Sequence, residues 1–374
     1  MIERAAIILS AGLSTRMGKF KPLLPLGGSS VLSQCIELFL SCGVERVIVV
    51  TGKRRHDVAK VASAAGAETI HNADYEQGMF SSVLSGVSAL PSGVSSFFVL
   101  PVDIPLVRRE TVRNIITKYE ENEPLVLYPR FMEERGHPPL INGDLLQAIK
   151  GHDGRGGLRA LLERFDADSL DLDVPDYGVV HDIDFPEEYA VAQSLWANGY
   201  PSEVESSVLW RMQQGHPHIE KHCVAVSQVA TRLCEALNER SQTEPLNVDL
   251  VRGAALTHDI GKGTKRHEAA GAELLHFHGF HTAADIVLEH FDMTLPDNAP
   301  ITEKEVVFLA DKLVRCQSPV PLENRYMEKV EMYSHEPGAR DAILGRLKRA
   351  KDMMARFDRE MGVPAEQLAV EALE

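Results

Sequence analysis

The chain has 374 residues, of which 44% are hydrophobic and 25% charged, with 27 Gly and 20 Pro. These proportions exclude collagen-like, coiled-coil and wholly disordered classes, and at about 150 residues per domain they imply two domains with separate cores. Lys and Arg number 39 against 54 Asp and Glu, a net charge of -15, so no nucleic acid and no membrane is expected as a partner, although a local pocket for a small phosphate is compatible with it.

Apolar runs at 5–9, 47–50, 97–102 and 125–128 alternate with helical spacing near 31–40, 83–90 and 111–119. Strand–helix alternation with short turns predicts a mostly parallel, Rossmann-like α/β sheet with helices on both faces. The run at 5–9 leads straight into a glycine-containing loop and so reads as a buried strand, not a signal segment. After Trp196 a turn-rich break at 197–202 intervenes. Helical periodicity then dominates from about Glu203 to the end without a strand pattern, which predicts an all-α second domain. The expected domains are 1–197, 203–335 and a helical extension at 336–374. Cys35, Cys42, Cys223, Cys234 and Cys316 form no CxxC pair, so neither a zinc ribbon nor a redox pair is written here. Scattered cysteines in odd number suit a reducing compartment, and no apolar stretch approaches the ~18 residues of a membrane span; a cytoplasmic location is expected.

The first strand ends in Leu9-Ser10-Ala11-Gly12-Leu13-Ser14-Thr15-Arg16-Met17-Gly18-Lys19-Phe20-Lys21. A small-residue loop at this point lies at the carboxyl edge of the sheet, where open α/β folds hold ligands. Gly12 lets the backbone approach a phosphate, and Arg16 and Lys21 supply the counter-charge. A Walker A loop is excluded: five residues separate Gly12 from Gly18-Lys19 where four are required, and Phe20 stands where Ser or Thr should hold magnesium. Asp103 closes the apolar strand 97–102, and an unpaired carboxylate there would cost several kcal/mol, so it is expected to hold a ligand. Asp184 offers a second carboxylate, with a helix N-cap before Pro186 as the equal alternative.

Together these residues resemble the MobA/MocA-like nucleotidyltransferase family, over nearly all of residues 1–195. The loop follows that family's LxAGxSxRMGxxKxLLPL signature, the stretch from Asn72 through Gly78 to Val83 resembles its second block, and Arg135-Gly136-His137-Pro138 its third. The resemblance implies transfer of a nucleoside monophosphate from an NTP to a phosphorylated acceptor with release of pyrophosphate. Ala11, Gly12, Arg16, Lys21, Gly78 and His137 would then bind nucleotide or acceptor, with Arg16, Lys21 and Asp103 acting in catalysis and Asp103 and Asp184 holding Mg2+. The Ala11-Gly12 pair, Gly-Met-Phe-Ser-Ser and Gly-His-Pro resemble the cytidylyltransferase branch that acts on molybdopterin, which implies CTP, a molybdopterin-like acceptor and a molybdoenzyme as candidate partner. Pro101-Val102-Asp103-Ile104-Pro105 departs from the Gly-Asp-Gln-Pro of that branch, keeping only its carboxylate.

In the second half, His222 shares a helical face with Ala225, Val226, Val229 and Leu233, and His258 follows Val251, Ala254 and Ala255, with Asp259 beside it. His267 aligns with Ala270, Gly271 and Leu274, His290 with Ile286 and Val287, and Asp311 with Val307, Ala310 and Val314. A lone inward histidine is more often a satisfied core group than a ligand. Six inward polar groups in one small domain would each cost about 1–3 kcal/mol if unpartnered, and one or two divalent ions (Fe, Mn or Zn) would remove that cost. The order His222, His258-Asp259, His267 to Ala272, Asp311 resembles the HD-domain phosphohydrolase superfamily over roughly 205–330. That resemblance implies a binuclear site with Asp259 bridging and His267 and His290 completing it. The substrate would be a phosphorylated small molecule, and Lys262, one helical turn after His258, would bind its phosphate. His216 and His218 receive no role. The combined expectation is a bifunctional cytoplasmic enzyme. The alternative is a guanylyl- or sugar-type nucleotidyltransferase whose HD domain senses nucleotides without turnover.

Overall fold

Strand β1 (Arg4–Ser10) is buried at every position after Arg4, the pattern of a strand covered on both faces. It centres the first of two units, Met1–Ala197 and Asn198–Glu374, in the computed structural model, which describes residues 4–214, 217–240, 244–296 and 299–374. A small hairpin, β2 (Pro25–Leu26) and β3 (Ser29–Ser30), leads into α1 (Val31–Leu40), whose N-cap Ser30 accepts a hydrogen bond from the Ser33 amide at 3.1 Å. Then β4 (Arg46–Thr51), α2 (Arg55–Ala64), β5 (Glu68–His71), α3 (Met79–Ala89), β6 (Ser96–Pro101) and α4 (Arg109–Asn122) alternate. The unit finishes with β7 (Val126–Phe131), β8 (Glu134–Arg135), β9 (Leu140–Asn142), α5 (Leu146–Lys150), α6 (Gly157–Leu162), β10 (Ser169–Asp173) and α7 (Pro186–Leu195).

The sheet runs β10-β7-β9-β6-β1-β4-β5, with β8 on β7. β1 is parallel to β4 and β6, β4 to β5, and β7 to β10. The three-residue β9 is antiparallel to both neighbours, β6 and β7, so the sheet is mixed where the sequence suggested a mostly parallel one. A strand that short, entered through Pro138-Pro139, carries too few residues to display a period of two.

In the second unit, α8 (Glu203–Met212) opens with a reciprocal cap between Ser202 and Glu205. It is followed by α9 (Pro217–Arg240), α10 (Val248–Thr257), α11 (His267–Phe277), α12 (His281–Glu289) and α13 (Glu303–Leu313). A hairpin of two-residue strands, β11 (Val314–Arg315) and β12 (Ser318–Pro319), interrupts the helical pattern, a departure from the all-helical expectation. The chain ends with α14 (Leu322–Met332), α15 (Ala339–Met361) and α16 (Ala365–Leu373). Val226, Val229 and Leu233 of α9 form one buried cluster with Val307 and Ala310 of α13. Leu347, Phe357 and Leu368 belong to the same cluster, so residues of 336–374 are part of this core. No described helix is long and apolar enough to cross a membrane.

Helix α3 lies against the sheet through Gly86, where a Cβ would stand 2.4 Å from Ile7 Cγ2 and 3.1 Å from Val50 Cγ2. Alanine favours a helix over glycine by about 1 kcal/mol, but overpacking costs about 1–3 kcal/mol. Gly86→Ala is therefore expected to lower the urea midpoint of the first unit's transition; an unchanged or raised midpoint would contradict this packing.

Candidate active sites

In the first unit the loop after β1 turns back so that Lys21, at the start of a short 3-10 turn, comes under the sheet edge with only 7% of its surface exposed. A buried ammonium needs anions. Its Nζ donates to Asp184 Oδ1 at 2.5 Å and to Asp103 Oδ2 at 3.1 Å. Arg16, two-thirds exposed, donates to Asp184 Oδ2 at 2.5 Å. Asp103 and Asp184 are locked beside each other because the Ile183 amide donates to the Asp103 carbonyl at 2.9 Å. The N-cap of α7 is Phe185, and the Asp184 side chain is engaged by Lys21 and Arg16, so the capping alternative is not what the fold uses.

Hydrogen bonding to Lys21, reinforced by Arg16, lowers the Asp184 pKa against the opposing effect of burial. Burial works against the Lys21 ammonium, yet Asp184 and Asp103 overcome it and raise its pKa. Asp182, two residues before Asp184, has no place in the sequence expectation. Burial, then the neighbouring charge of Asp184, raises its pKa.

Gly52 threads past the loop: a Cβ there would lie 2.6 Å from the Ala11 carbonyl oxygen and 2.7 Å from the Tyr75 ring. This close approach joins Ala11 to the segment leading to Gly78, which N-caps α3 at φ 107°. Asn72 braces that segment through the Ser81 and Ser82 hydroxyls at 2.8 and 3.0 Å. Gly12 is exposed with open space where a Cβ would point. His137 is held by its amide donating to the Val179 carbonyl at 2.7 Å, while its Nδ1 is buried with no hydrogen-bond partner among the described residues. Burial lowers its pKa, partly opposed by the Val99 backbone and by Asp103.

The second unit brings its predicted residues together. Asp259 Oδ1 lies 3.3 Å from His267 Nε2 and 3.6 Å from His290 Nε2, and Oδ2 lies 3.6 Å from His258 Nε2. Asp311 Oδ1 lies 3.2 Å from His222 Nε2 and 3.7 Å from His258 Nε2. Ligand atoms of His222, His258 and Asp259 fall within 4.8 Å of one another, as do those of Asp259, His267 and His290. Asp259 is common to both groups. Donor atoms sharing one ion at about 2.1 Å stand roughly 3–4 Å apart, which is the spacing observed.

Three of the four imidazoles are anchored from behind by backbone carbonyls. Nδ1 of His258 donates to the Ala255 carbonyl at 2.8 Å, His290 to Val287 at 2.6 Å and His222 to Cys316 at 3.0 Å. A carbonyl can only accept, so Nδ1 carries a proton and Nε2 is the nitrogen turned toward the carboxylates. His267 Nδ1 faces Glu268 Oε2 at 3.2 Å. Such outer partners set tautomer and ring orientation in metal sites, and the sequence reading missed all four. His258 Nε2 is itself buried with no hydrogen-bond partner among the described residues, an orphan that an ion would satisfy.

Burial pushes the Asp311 carboxyl toward its neutral form, but Lys312 and the His222 and His258 imidazoles hold its pKa well below the carboxylate range. Asp259 is likewise held low against burial by His258, His267 and His290. Lys262 follows α10 in a turn, not in a helix, and donates to Asp259 Oδ2 at 2.6 Å. It also lines a cavity of about 520 Å3 whose other walls include Trp210, Gln213, Ile260, Glu273 and Phe277. His216 lies outside the described residues, and His218 is exposed.

Comparison with known proteins assigns each unit a family. Residues 6–170 match the MobA-like NTP transferase domain, and residues 219–316 match the HD domain. The molybdenum cofactor cytidylyltransferase of Escherichia coli is 30% identical over 192 residues, 51% of this chain and 95% of that protein. The chain belongs to the MobA-like NTP transferase family. This MobA-like chain is also 30% identical over 172 residues to the bifunctional protein GlmU of Corynebacterium aurimucosum, covering 44% of itself and 33% of GlmU. Rv0371c of Mycobacterium tuberculosis superposes with a TM-score of 0.47 at 22% identity, over 51% of the MobA-like chain and 97% of Rv0371c. The MobA-like family thus accounts for the first unit, a nucleotidyltransferase domain on a mixed α/β sheet, and the HD domain for the helical second one.

Because the folded Asp184 pKa is depressed, its ion pairs stabilise the protein above the unfolded value of about 3.9 and are lost as pH falls through the lower folded value. Asp184→Asn is expected to cost about 1.5–3 kcal/mol at pH 7 and less near pH 3. Urea midpoints of both proteins at the two pH values check this; an equal gap at both would mean the carboxylate charge plays no part.

Proposed function

We propose that the chain is a bifunctional enzyme: a Mg2+-dependent cytidylyltransferase acting on a molybdopterin-like acceptor, joined to a metal-dependent phosphohydrolase. For the first activity the supporting observation is the convergence of Asp103 and Asp184 on one cation, the Lys21 ammonium. Two carboxylates held to a common positive charge fit a divalent ion, and Mg2+ there supplies charge that offsets what builds on the departing pyrophosphate. Lys21 and Arg16 grip the triphosphate, and the Ala11-Gly12 backbone lets its oxygens come close. Gly78 leaves room at the start of α3, and His137, kept neutral by burial, faces the acceptor. The acceptor phosphate attacks the α-phosphorus, so no side-chain nucleophile is required; positioning and charge neutralisation do the work. The choice of CTP rests on the likeness to the cytidylyltransferase of Escherichia coli. Release of pyrophosphate is expected from CTP with molybdopterin, and Asp103→Ala is expected to reduce it by roughly 100-fold or more. Turnover of GTP instead would move the reading to a guanylyltransferase. Undiminished transfer by Asp103→Ala would make the unit a carrier.

For the second activity the carrying observation is that Asp259 belongs to two ligand groups while the orphaned His258 Nε2 points at it. His222, His258, Asp259 and Asp311 would hold one ion, and Asp259, His267 and His290 a second. Divalent ions in such a set, Fe, Mn or Zn, draw charge from phosphoryl oxygens and acidify water. The residues contribute the rest: three imidazoles whose Nδ1 is fixed by a backbone carbonyl, and Lys262, which lines the cavity, to meet a substrate phosphate. Elemental analysis of the full chain is expected to find one or two divalent ions. Asp259→Ala should lose all of them, whereas His267→Ala should lose at most one. Equal loss in the two variants would break the bridging assignment. Metal-loaded protein that cleaves no mono-, di- or cyclic phosphate ester and no phosphoanhydride would favour a nucleotide-sensing role.

A further inference from the structure

Cations gather at the second unit's carboxylates beyond what those carboxylates need. Lys312 is 5% exposed, donates to Asp311 Oδ2 at 2.6 Å and to the His290 carbonyl at 3.3 Å, and lies 4.8 Å from the Phe308 ring centre. From α14, Arg325 brings Nη2 to 3.9 Å from Asp311 Oδ1, and its Nε is buried with no hydrogen-bond partner among the described residues. Lys329 stands four residues later on the same face of α14 and forms no ion pair with a described carboxylate. Burial, then the charge of Lys312, brings its pKa down to about 8, with Arg325 and Lys262 adding to the repulsion and Asp311 opposing it.

Four side-chain cations thus act on one another around two carboxylates, before any divalent ion is added. Holding like charges in a partly buried space lowers stability, and apolar residues would pack there at no such cost. An anion of high charge density reverses the balance. We propose that α14, which lies beyond the 219–316 match, completes the hydrolase site as an anion cradle. Arg325 and Lys329 select substrates with two or more linked phosphates over phosphomonoesters. This rests on the phosphohydrolase reading. In hydrolysis of such an anhydride, the water oxygen bonds to the terminal phosphorus as the bridging P–O bond breaks. The bonding pair leaves with the bridging oxygen, and a water proton passes to the departing phosphate or to solvent.

The cradle can be tested without metal. Full-length, metal-stripped protein is titrated calorimetrically with inorganic tripolyphosphate and, separately, with orthophosphate. The loop around Arg16 and Lys21 is intact in every variant, so its share of binding cancels in the comparison. Arg325→Gln/Lys329→Gln is expected to weaken one tripolyphosphate site by about tenfold or more and orthophosphate binding by less than about threefold, with Lys329→Arg like wild type. Removing a repelled cation should also raise the ligand-free melting temperature of the single variant Lys329→Gln by about 2–4 °C. Wild-type tripolyphosphate affinity in the double variant, or in Lys329→Gln should the double variant not fold, overturns the proposal. Metal content distinguishes the two failures. A wild-type chain that takes up no divalent ion refutes the hydrolase reading, whereas metal retained with unchanged tripolyphosphate binding refutes the cradle alone.

Discussion

A buried carboxylate must be surrounded by positive or donating groups, and the second unit is arranged around that requirement at Asp259. With its side chain 4% exposed, its two oxygens divide the neighbours: Oδ1 toward His267 and His290, Oδ2 toward His258 and Lys262. The turn after α10, the start of α11 and the end of α12 therefore have to meet at one point. Apolar packing fixes helices only to within the tolerance of a side-chain rotamer, whereas a buried charge tolerates little displacement before its full desolvation cost returns. The helices supply the volume, and the carboxylate supplies the register among them.

The first unit solves the mirror-image problem. Lys21 is the buried charge, and two segments far apart in sequence supply its anions. The Ile183-to-Asp103 backbone bond keeps those anions from separating. Asp103, Asp184 and Lys21 are individually costly at a sheet edge and jointly acceptable there.

Much of this was legible in the residues. Complete apolar strands such as Arg4–Ser10 and Ser96–Pro101 announce a doubly covered sheet, and the inward histidines fell where the 3.6-residue period put them. What escaped was short or non-local. Leu140–Asn142 and the hairpin at Val314–Arg315 and Ser318–Pro319 are too brief to show periodicity. The spacing of Lys262 from His258 suggests a helical position, but α10 stops at Thr257. Arg325 and Lys329 sit in a charged segment whose composition is that of any solvated helix, and only the position of Asp311 gives them meaning.

The candidate ligands of the helical unit also share a placement that explains why their orientation is hidden from the sequence. His258 and His290 are the C-cap residues of α10 and α12, and His267 is the first residue of α11. Within a helix every carbonyl is engaged by the amide four residues on, but the last four carbonyls are left without such partners. His258 and His290 use that vacancy alike, each donating Nδ1–H to the carbonyl three residues earlier, Ala255 and Val287. One contact thereby satisfies an orphaned acceptor of the helix end, fixes the tautomer and turns Nε2 toward the shared carboxylate. The missed hairpin does the same for His222, because its turn residue Cys316 offers the carbonyl that His222, early in α9, cannot obtain from its own helix. Helix termination and side-chain orientation are in this way one physical event, and moving a helix end by a single residue would cost the proposed metal site its geometry before it cost the bundle its core.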